Sequence, residues 1–171
     1  APGVPPSEGY LALARILGQG WISTVLTTNF DHCVNRATII AAQPHHLIEI
    51  RTPSDLVRFS TSPSHPQLLH IHGSVEHYSD KNLAAETETL PDGIVGRVSP
   101  LLRDHALVVV GYRGMEASVM KGLLRDQCAI TNNFQQGLFW CELRRDIDKP
   151  LAPMVQELAE QIGTNFVRVP I

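Results

Sequence analysis

The sequence has few cysteines, no long apolar run and no excess of positive charge. Its three cysteines, Cys33, Cys128 and Cys141, are odd in number and widely spaced. This usage excludes a disulfide framework and favours a reducing, cytoplasmic location. No apolar run approaches the roughly 18 residues that span a bilayer, so no membrane partner is expected. With 14 Lys and Arg against 17 Asp and Glu, the net charge of −3 excludes direct nucleic-acid binding through bulk charge.

The length and composition suit one folded domain. The chain has 171 residues, of which 43% are hydrophobic and 18% charged, so it can bury a substantial core. Residues 1–6 (A-P-G-V-P-P) contain three prolines and are interpreted as a linker, which leaves residues 7–171 as the domain. No signal peptide is visible, and we expect the chain to be part of a larger protein.

Apolar stripes at helical spacing predict four helices. The first carries Tyr10, Leu13 and Leu17 on one face and extends from a capping Ser7 to about Gln19. The third is expected to present Met115, Val119 and Leu123 on one face. The second and fourth lie around residues 94–102 and 154–162, and a short further helix is expected to begin within residues 29–36.

Apolar and β-branched runs predict six strands, and residues 52–67 and 78–91 are expected to be irregular. The run 106–110 (A-L-V-V-V) has no alternation, which predicts burial on both faces, as in a parallel sheet covered by helices. Strands alternating with helices predict an α/β fold: a Rossmann-like parallel sheet of about five or six strands with helices on both faces. The predicted strands are residues 21–28, 47–51, 68–75, 106–110, 137–142 and 166–169.

Polar residues follow three of these strands. Open parallel sheets bind ligands outside the carboxyl ends of their strands, so these positions are the candidate site. They are residues 27–31 (T-T-N-F-D), 70–74 (H-I-H-G-S) and 111–116 (G-Y-R-G-M-E). Each alone is compatible with a helix cap, a turn or a loop, and their shared placement at strand ends is what indicates a site.

The same three segments resemble one protein family. Residues 27–31 resemble the Thr-x-Asn-x-Asp motif of the sirtuins, especially of their sirtuin-like bacterial branch, and residues 69–74 resemble the family's strand ending in His-Gly. Residues 107–116 resemble that branch's apolar strand followed by Gly-Tyr-Ser and an acidic residue. The tail of the chain, residues 138–142 and 166–170, also resembles the family. The resemblance therefore covers the chain from about Tyr10 and implies a sirtuin-like fold.

This resemblance implies an NAD glycohydrolase, often an effector of bacterial immunity against phage, with NAD as its substrate. It assigns Asn29 to the ribose hydroxyl or the attacking water, Asp31 to the nicotinamide amide, and His72 to the general base. Such chemistry needs a positioned nucleophile and a nearby base rather than a metal. The resemblance also implies a partner, either a sensor domain or protein or further copies of the chain. The remaining motif residues, implied to bind NAD, are Thr28, Phe30, Gly73, Gly111, Tyr112, Arg113 and Glu116.

Three departures from the family pattern qualify this assignment. The Gly-Ala-Gly phosphate loop that precedes the family's first helix is not found before Ser7, so the domain is expected to lack that segment. The absence of cysteine pairs excludes a zinc-ribbon module and argues against a protein deacylase. Arg113 stands where the branch usually has serine, and its guanidinium can reach a phosphate.

Two other functions remain open. A sirtuin-like module can bind a nucleotide or dock a partner without catalysis. A metal-dependent hydrolase is the third interpretation, since His70 and His72 share a face of one strand and Asp31 and Glu76 can complete a metal site. If the glycohydrolase assignment holds, alanine at Asn29 or His72 should abolish NAD cleavage and leave the fold intact, because strand-end truncations create little cavity.

Overall fold

The computed structural model describes residues 5–41, 46–73, 90 and 93–171. The chain divides into two compact units, a first unit of residues Ala1–Leu83 and a second unit of residues Ala84–Ile171. Each unit contains one three-stranded sheet, and every strand pair in both sheets is parallel. The parallel α/β, Rossmann-like fold is therefore confirmed, although the six strands of the described residues form two sheets rather than the single sheet expected.

The first unit has its last strand at the centre of its sheet. The strand order is β1-β3-β2, with Thr27 of β1 opposite His70 of β3. Because paired parallel strands end at the same edge, the segments that follow β1 and β3 emerge side by side. The elements are α1 (Glu8–Gly18), β1 (Thr24–Thr27), α2 (Cys33–Ile40), β2 (Ile48–Ile50) and β3 (Gln67–His70).

The core of the first unit joins both helices to the sheet. Leu17 of α1, Val34 of α2 and Leu68 of β3 form one buried cluster, against which Tyr10 and Leu13 pack. Tyr10, Leu13 and Leu17 are the residues that form the apolar stripe of the first predicted helix. The burial of a Leu or Val side chain contributes about 1.5–3 kcal/mol, so this cluster fixes α1 and α2 on the sheet.

One element of the first unit was not expected. Residues 52–67, which were expected to be irregular, contain a 3₁₀ helix over Pro53–Arg58. The side chain of Thr52 accepts from the Asp55 backbone N–H, and the Asp55 carboxylate accepts from the Thr52 backbone N–H. This reciprocal capping, together with a proline whose fixed φ suits the first helical turn, explains why the segment is ordered.

The second unit is built on strands that follow one another in chain order. β5 is central in the order β4-β5-β6, and Trp140 lies between Val109 and Arg168. Leu138, Trp140, Val155 and Leu158 are buried in its core. The elements are α3 (Ile94–Asp104), β4 (Leu107–Val110), a π-helix (Ser118–Arg125), β5 (Leu138–Glu142), α4 (Pro153–Ile162) and β6 (Phe166–Pro170), with 3₁₀ turns at Asp126–Ala129, Arg144–Asp146 and Gly163–Asn165.

The prediction that the run 106–110 is buried on both faces is wrong. Val108 and Val110 are 54% and 64% exposed, whereas Leu107 and Val109 are partly covered. Successive side chains of a strand point to opposite faces, so only one face of β4 is covered. An apolar run reports the composition of both faces, but it does not report which of them another element covers.

The predicted stripe of the third helix is also partly wrong. Met115 is exposed and precedes the π-helix, whereas Val119, Met120 and Leu123 are buried. A π-helix bonds each residue to the fifth one along, so its angular spacing differs from that of the α-helix assumed in the prediction. Residues 74 and 75 of the third predicted strand lie outside the described residues, as does most of the segment 78–91.

Candidate functional site

The candidate site of the first unit lies where β1 and β3 end. The backbone hydrogen bonding between β1 and β3 continues just past the end of β3, because the Ile71 N–H donates to the Thr27 carbonyl over 2.9 Å. The loop that follows β1, residues 28–32, and the residues that follow β3, 71–73, therefore leave the same edge of the sheet. This is the edge at which parallel sheets bind ligands.

Asn29 is exposed at this edge, and both its backbone N–H and its side-chain amide donate hydrogen bonds. Its backbone N–H donates to Thr27 Oγ1 over 3.1 Å. Its side-chain amide donates to the hydroxyl of Tyr10, on α1, also over 3.1 Å. The bond to Tyr10 uses one amide N–H, and an amide carries a second N–H and a carbonyl oxygen that can face a ligand.

Asp31 is exposed and stands before α2. Its Oδ1 accepts a hydrogen bond from the Cys33 backbone N–H over 2.9 Å, which satisfies one of the otherwise unpaired donors at the start of that helix. The capping role considered for Asp31 is therefore present in the structure. A carboxylate has two oxygens, so this bond is compatible with a ligand contact as well.

The charge of Asp31 affects two neighbouring groups. Burial, followed by the negative charge of Asp31, raises the pKa of Tyr10 against the lowering effect of its hydrogen bond with Asn29. Burial, followed by the hydrogen bond and charge of Asp31, raises the pKa of the Cys33 thiol. The phenol and the thiol are therefore protonated at neutral pH, and Cys33 is a poor nucleophile.

His72 follows β3 and contacts the loop after β1. The centroids of the His72 and Phe30 rings are 6.3 Å apart, with their planes at 41°. Gly73 comes next with φ at +82°, a conformation that favours glycine, and its N–H donates to the His70 carbonyl over 3.2 Å. His72 is only 7% exposed, so the expectation that its truncation creates little cavity is wrong.

Two further residues adjoin this edge. The wholly buried ring of His70 places Nδ1 3.3 Å from the Asn29 carbonyl oxygen and Nε2 3.8 Å from Glu49 Oε2. Burial raises the pKa of Glu49, but its interactions with His70 and Arg51 outweigh this and hold that pKa below its usual value. His70 was singled out as part of the candidate segment 70–74 and as a metal ligand but not as an orienting residue, and Glu49 was not singled out at all.

The third motif lies in the second unit, at the carboxyl end of β4. Gly111 and Arg113 are exposed. The Tyr112 ring lies 6.0 Å from that of Trp140, and its hydroxyl donates to the Glu116 carbonyl over 3.4 Å. Burial, followed by the charge of Glu116, raises the pKa of Tyr112 well above its usual value.

The metal-hydrolase interpretation finds no support in the described residues. Among them, no three His, Cys, Asp or Glu side chains are placed to hold a metal ion. Glu76, one of the ligands considered, lies outside that part of the chain. Within the same residues, no helix is long and apolar enough to cross a bilayer.

The parallel sheets and the polar residues at their strand ends define a Rossmann-like α/β protein. The family model of the SIR2-like domain matches residues 23–166. The chain therefore belongs to the SIR2-like domain family, which confirms the sirtuin-like resemblance. A comparison with curated proteins finds no significant match. SIR2-like domains bind NAD and the family includes NAD-dependent enzymes, so membership indicates an NAD-related function.

Proposed function

We propose that this chain binds NAD and that the full-length protein hydrolyses it to nicotinamide and ADP-ribose. The observation that carries the proposal is the shared strand edge, where Asn29 and Asp31 lie in the loop after β1 and Phe30 of that loop contacts His72. Membership of the SIR2-like family supplies the substrate class. The resemblance to bacterial effectors supports a cytoplasmic role in antiphage defence, with a sensor or further copies of the chain as partner.

The reaction balances with one water and no cofactor. The bond between ribose C1′ and the nicotinamide nitrogen breaks, and nicotinamide leaves with the electron pair. The water oxygen bonds to C1′, and its proton passes to His72, because an imidazole nitrogen is a suitable base at neutral pH. The Asn29 amide orients the water or holds the ribose hydroxyl, while Asp31 faces the nicotinamide amide.

The surroundings of Asn29 support this role. Its side chain is exposed, yet the Tyr10 hydroxyl restrains it, so the amide is available to a ligand in a fixed position. Holding reacting groups in a productive orientation accounts for a large share of catalytic rate, and restraint before the ligand arrives lowers the entropy lost on binding. In the second unit, the exposed Arg113 is the proposed contact for a phosphate of NAD.

The test is nicotinamide release from NAD by the full-length protein, measured by chromatography. Loss of a general base or an orienting group lowers rates by roughly 10²–10⁴-fold, so Asn29→Ala and His72→Gln should lose nearly all turnover. Gln19→Ala, at an exposed amide on the end of α1, and His65→Ala, at an exposed loop, are the matched controls and should retain it. His72→Gln replaces His72→Ala because the ring is buried and its complete truncation would leave a cavity.

Two results would contradict the proposal. Unchanged turnover in Asn29→Ala or His72→Gln would show that the substituted residue has no catalytic role. If calorimetry shows that the full-length protein binds NAD and chromatography detects no nicotinamide, the non-catalytic binding function replaces hydrolysis. Melting curves of each variant separate chemical loss from unfolding, because a lost buried hydrogen bond costs roughly 1–3 kcal/mol and lowers the melting temperature.

A further inference from the structure

His70 lies between two acceptors on different elements. Its Nδ1 is 3.3 Å from the carbonyl oxygen of Asn29, in the loop after β1, and its Nε2 is 3.8 Å from Glu49 Oε2, on β2. A carbonyl oxygen only accepts, so the contact with Asn29 requires a proton on Nδ1. The side chain is wholly buried, and its Nε2 faces the Glu49 carboxylate at ion-pair distance without making a hydrogen bond. The hydrogen bond from Nδ1 therefore holds the buried ring in this orientation, since its loss would leave both ring nitrogens unpaired.

Glu49 is itself held from two sides. Arg51 donates to Glu49 Oε2 from Nε and Nη2, each over 2.7 Å, and the amide of Asn35, on α2, donates to Oε1. Charge-assisted bonds of this kind are about twice as strong as neutral ones. The carboxylate therefore faces the His70 ring from a fixed position, and the ring is confined between Glu49 and the Asn29 main chain.

We propose that His70 is a positioning residue that fixes the main chain at Asn29 relative to His72 through the hydrogen bond of its Nδ1. This inference rests on the proposed NAD cleavage at the same site. Two other hydrogen bonds of this loop that involve the main chain are local, since they join Asn29 to Thr27 and Asp31 to Cys33. The contact between His70 and the Asn29 carbonyl joins residues 41 apart in the chain. Because His70 precedes His72 by two residues, this contact ties the loop after β1 to the segment that carries the proposed base.

Two substitutions distinguish positioning from bulk packing. In His70→Asn, the amide nitrogen takes the place of Nδ1 and keeps a donor for the Asn29 carbonyl. In His70→Gln, the donor moves towards the position of Nε2, and that bond is lost. The matched control is Gln67→Leu on the same strand, because Gln67 is 0% exposed and its amide bonds to Thr24 and Ser60 rather than to the loop.

In the full-length protein, His70→Gln should lower kcat for nicotinamide release by roughly 10- to 100-fold, since small displacements of reacting groups have effects of that size. KM should change much less, and His70→Asn should recover most of the turnover. Gln67→Leu should lower the melting temperature without lowering kcat. The inference is overturned if His70→Gln retains the wild-type kcat, or if His70→Asn and His70→Gln lose turnover equally.

Hydrogen–deuterium exchange gives a readout that does not depend on cleavage. The backbone amides of residues 29–33 should exchange faster in His70→Gln than in wild type and His70→Asn, because exchange reports local opening. In Gln67→Leu they should exchange at the wild-type rate. Equal exchange in all variants overturns the positioning role. If the wild type releases no nicotinamide, the proposed function fails, and exchange alone then decides whether His70 holds the loop.

Discussion

Glu49 makes the stability of the first unit sensitive to acid. Its pKa is held below the usual 4.5 because interactions with His70 and Arg51 outweigh the effect of burial. The hydrogen bond from Thr52 likewise holds the pKa of Asp55 below its usual 3.8. A lowered folded-state pKa contributes stability above the unfolded value, and this stability is lost as the pH falls through the folded value.

We therefore predict that the urea midpoint of unfolding falls as the pH drops below 4.5. Glu49→Gln should be less stable than wild type at neutral pH and should lose less on acidification, since its amide does not titrate. The matched control is Glu8→Gln, at an exposed carboxyl on α1, which should keep the wild-type pH dependence. An identical pH dependence in Glu49→Gln and wild type would show that the Glu49 interactions contribute no net stability.

The sequence was sufficient to select Asn29, Asp31 and His72 as site candidates, because strand ends and motif positions can be recognised along the chain. It was not sufficient to find the residues that orient them. Tyr10 appears in the sequence as one more member of an apolar helical stripe, yet its hydroxyl bonds Asn29 across 19 residues. His70 and Glu49 meet only because β2 and β3 are neighbours, and strand order is not readable from composition or periodicity.

At the scale of the elements, two glycines in the turn after β4 share a backbone conformation but differ in their surroundings. Gly111 has φ at +70° and no atom within 4 Å of where a Cβ would lie. Gly114 has φ at +69°, and a Cβ there would overlap the side chain of Val155, on α4. Both positions therefore favour glycine for the backbone conformation, but only Gly114 also needs it for the close approach of a helix.

We predict that Gly111→Ala costs about 1–2 kcal/mol of unfolding free energy, from the left-handed backbone alone. Gly114→Ala should cost clearly more, because overpacking adds roughly 1–3 kcal/mol to the same backbone strain. Chemical denaturation of the two variants measures the difference, and the double variant Gly114→Ala, Val155→Ala should show less strain at position 114. Equal costs at the two glycines would contradict the overlap with Val155.

The strands and α-helices were largely predictable because each combines a clear period with a stop signal. α1 was expected to end near Gln19 and ends at Gly18, and Gly163 terminates α4 as predicted. The 3₁₀ and π-helical segments were not predictable from an α-helical period, since their hydrogen bonds join residues at other spacings. The uncovered face of β4 was missed for a different reason, because cover depends on the rest of the fold.

At the scale of the whole chain, the net charge of −3 provides no long-range attraction for the phosphates of NAD. We predict that KM for NAD changes less than about threefold between ~0.01 M and ~0.15 M ionic strength, where the Debye length falls from about 30 Å to 8 Å. Initial rates of nicotinamide release by the full-length protein measure this. Arg113→Gln should raise KM similarly at both salt concentrations, because a direct contact is screened little. A rise of KM by tenfold or more with salt would instead indicate long-range attraction.

The strand order of the first sheet also sets the time at which the candidate site can form. β3 lies between β1 and β2 although it follows both of them in the chain, and the contact of His70 with Asn29 closes a loop of 41 residues. Closing long loops slows folding, and nascent domains emerge from the ribosome at about 5–20 residues per second. The Asn29 loop is therefore synthesised several seconds before the strand that completes it. Until β3 inserts, a nascent chain holds the orienting amide without the proposed base, so on the proposed mechanism the first unit must fold before NAD can be cleaved.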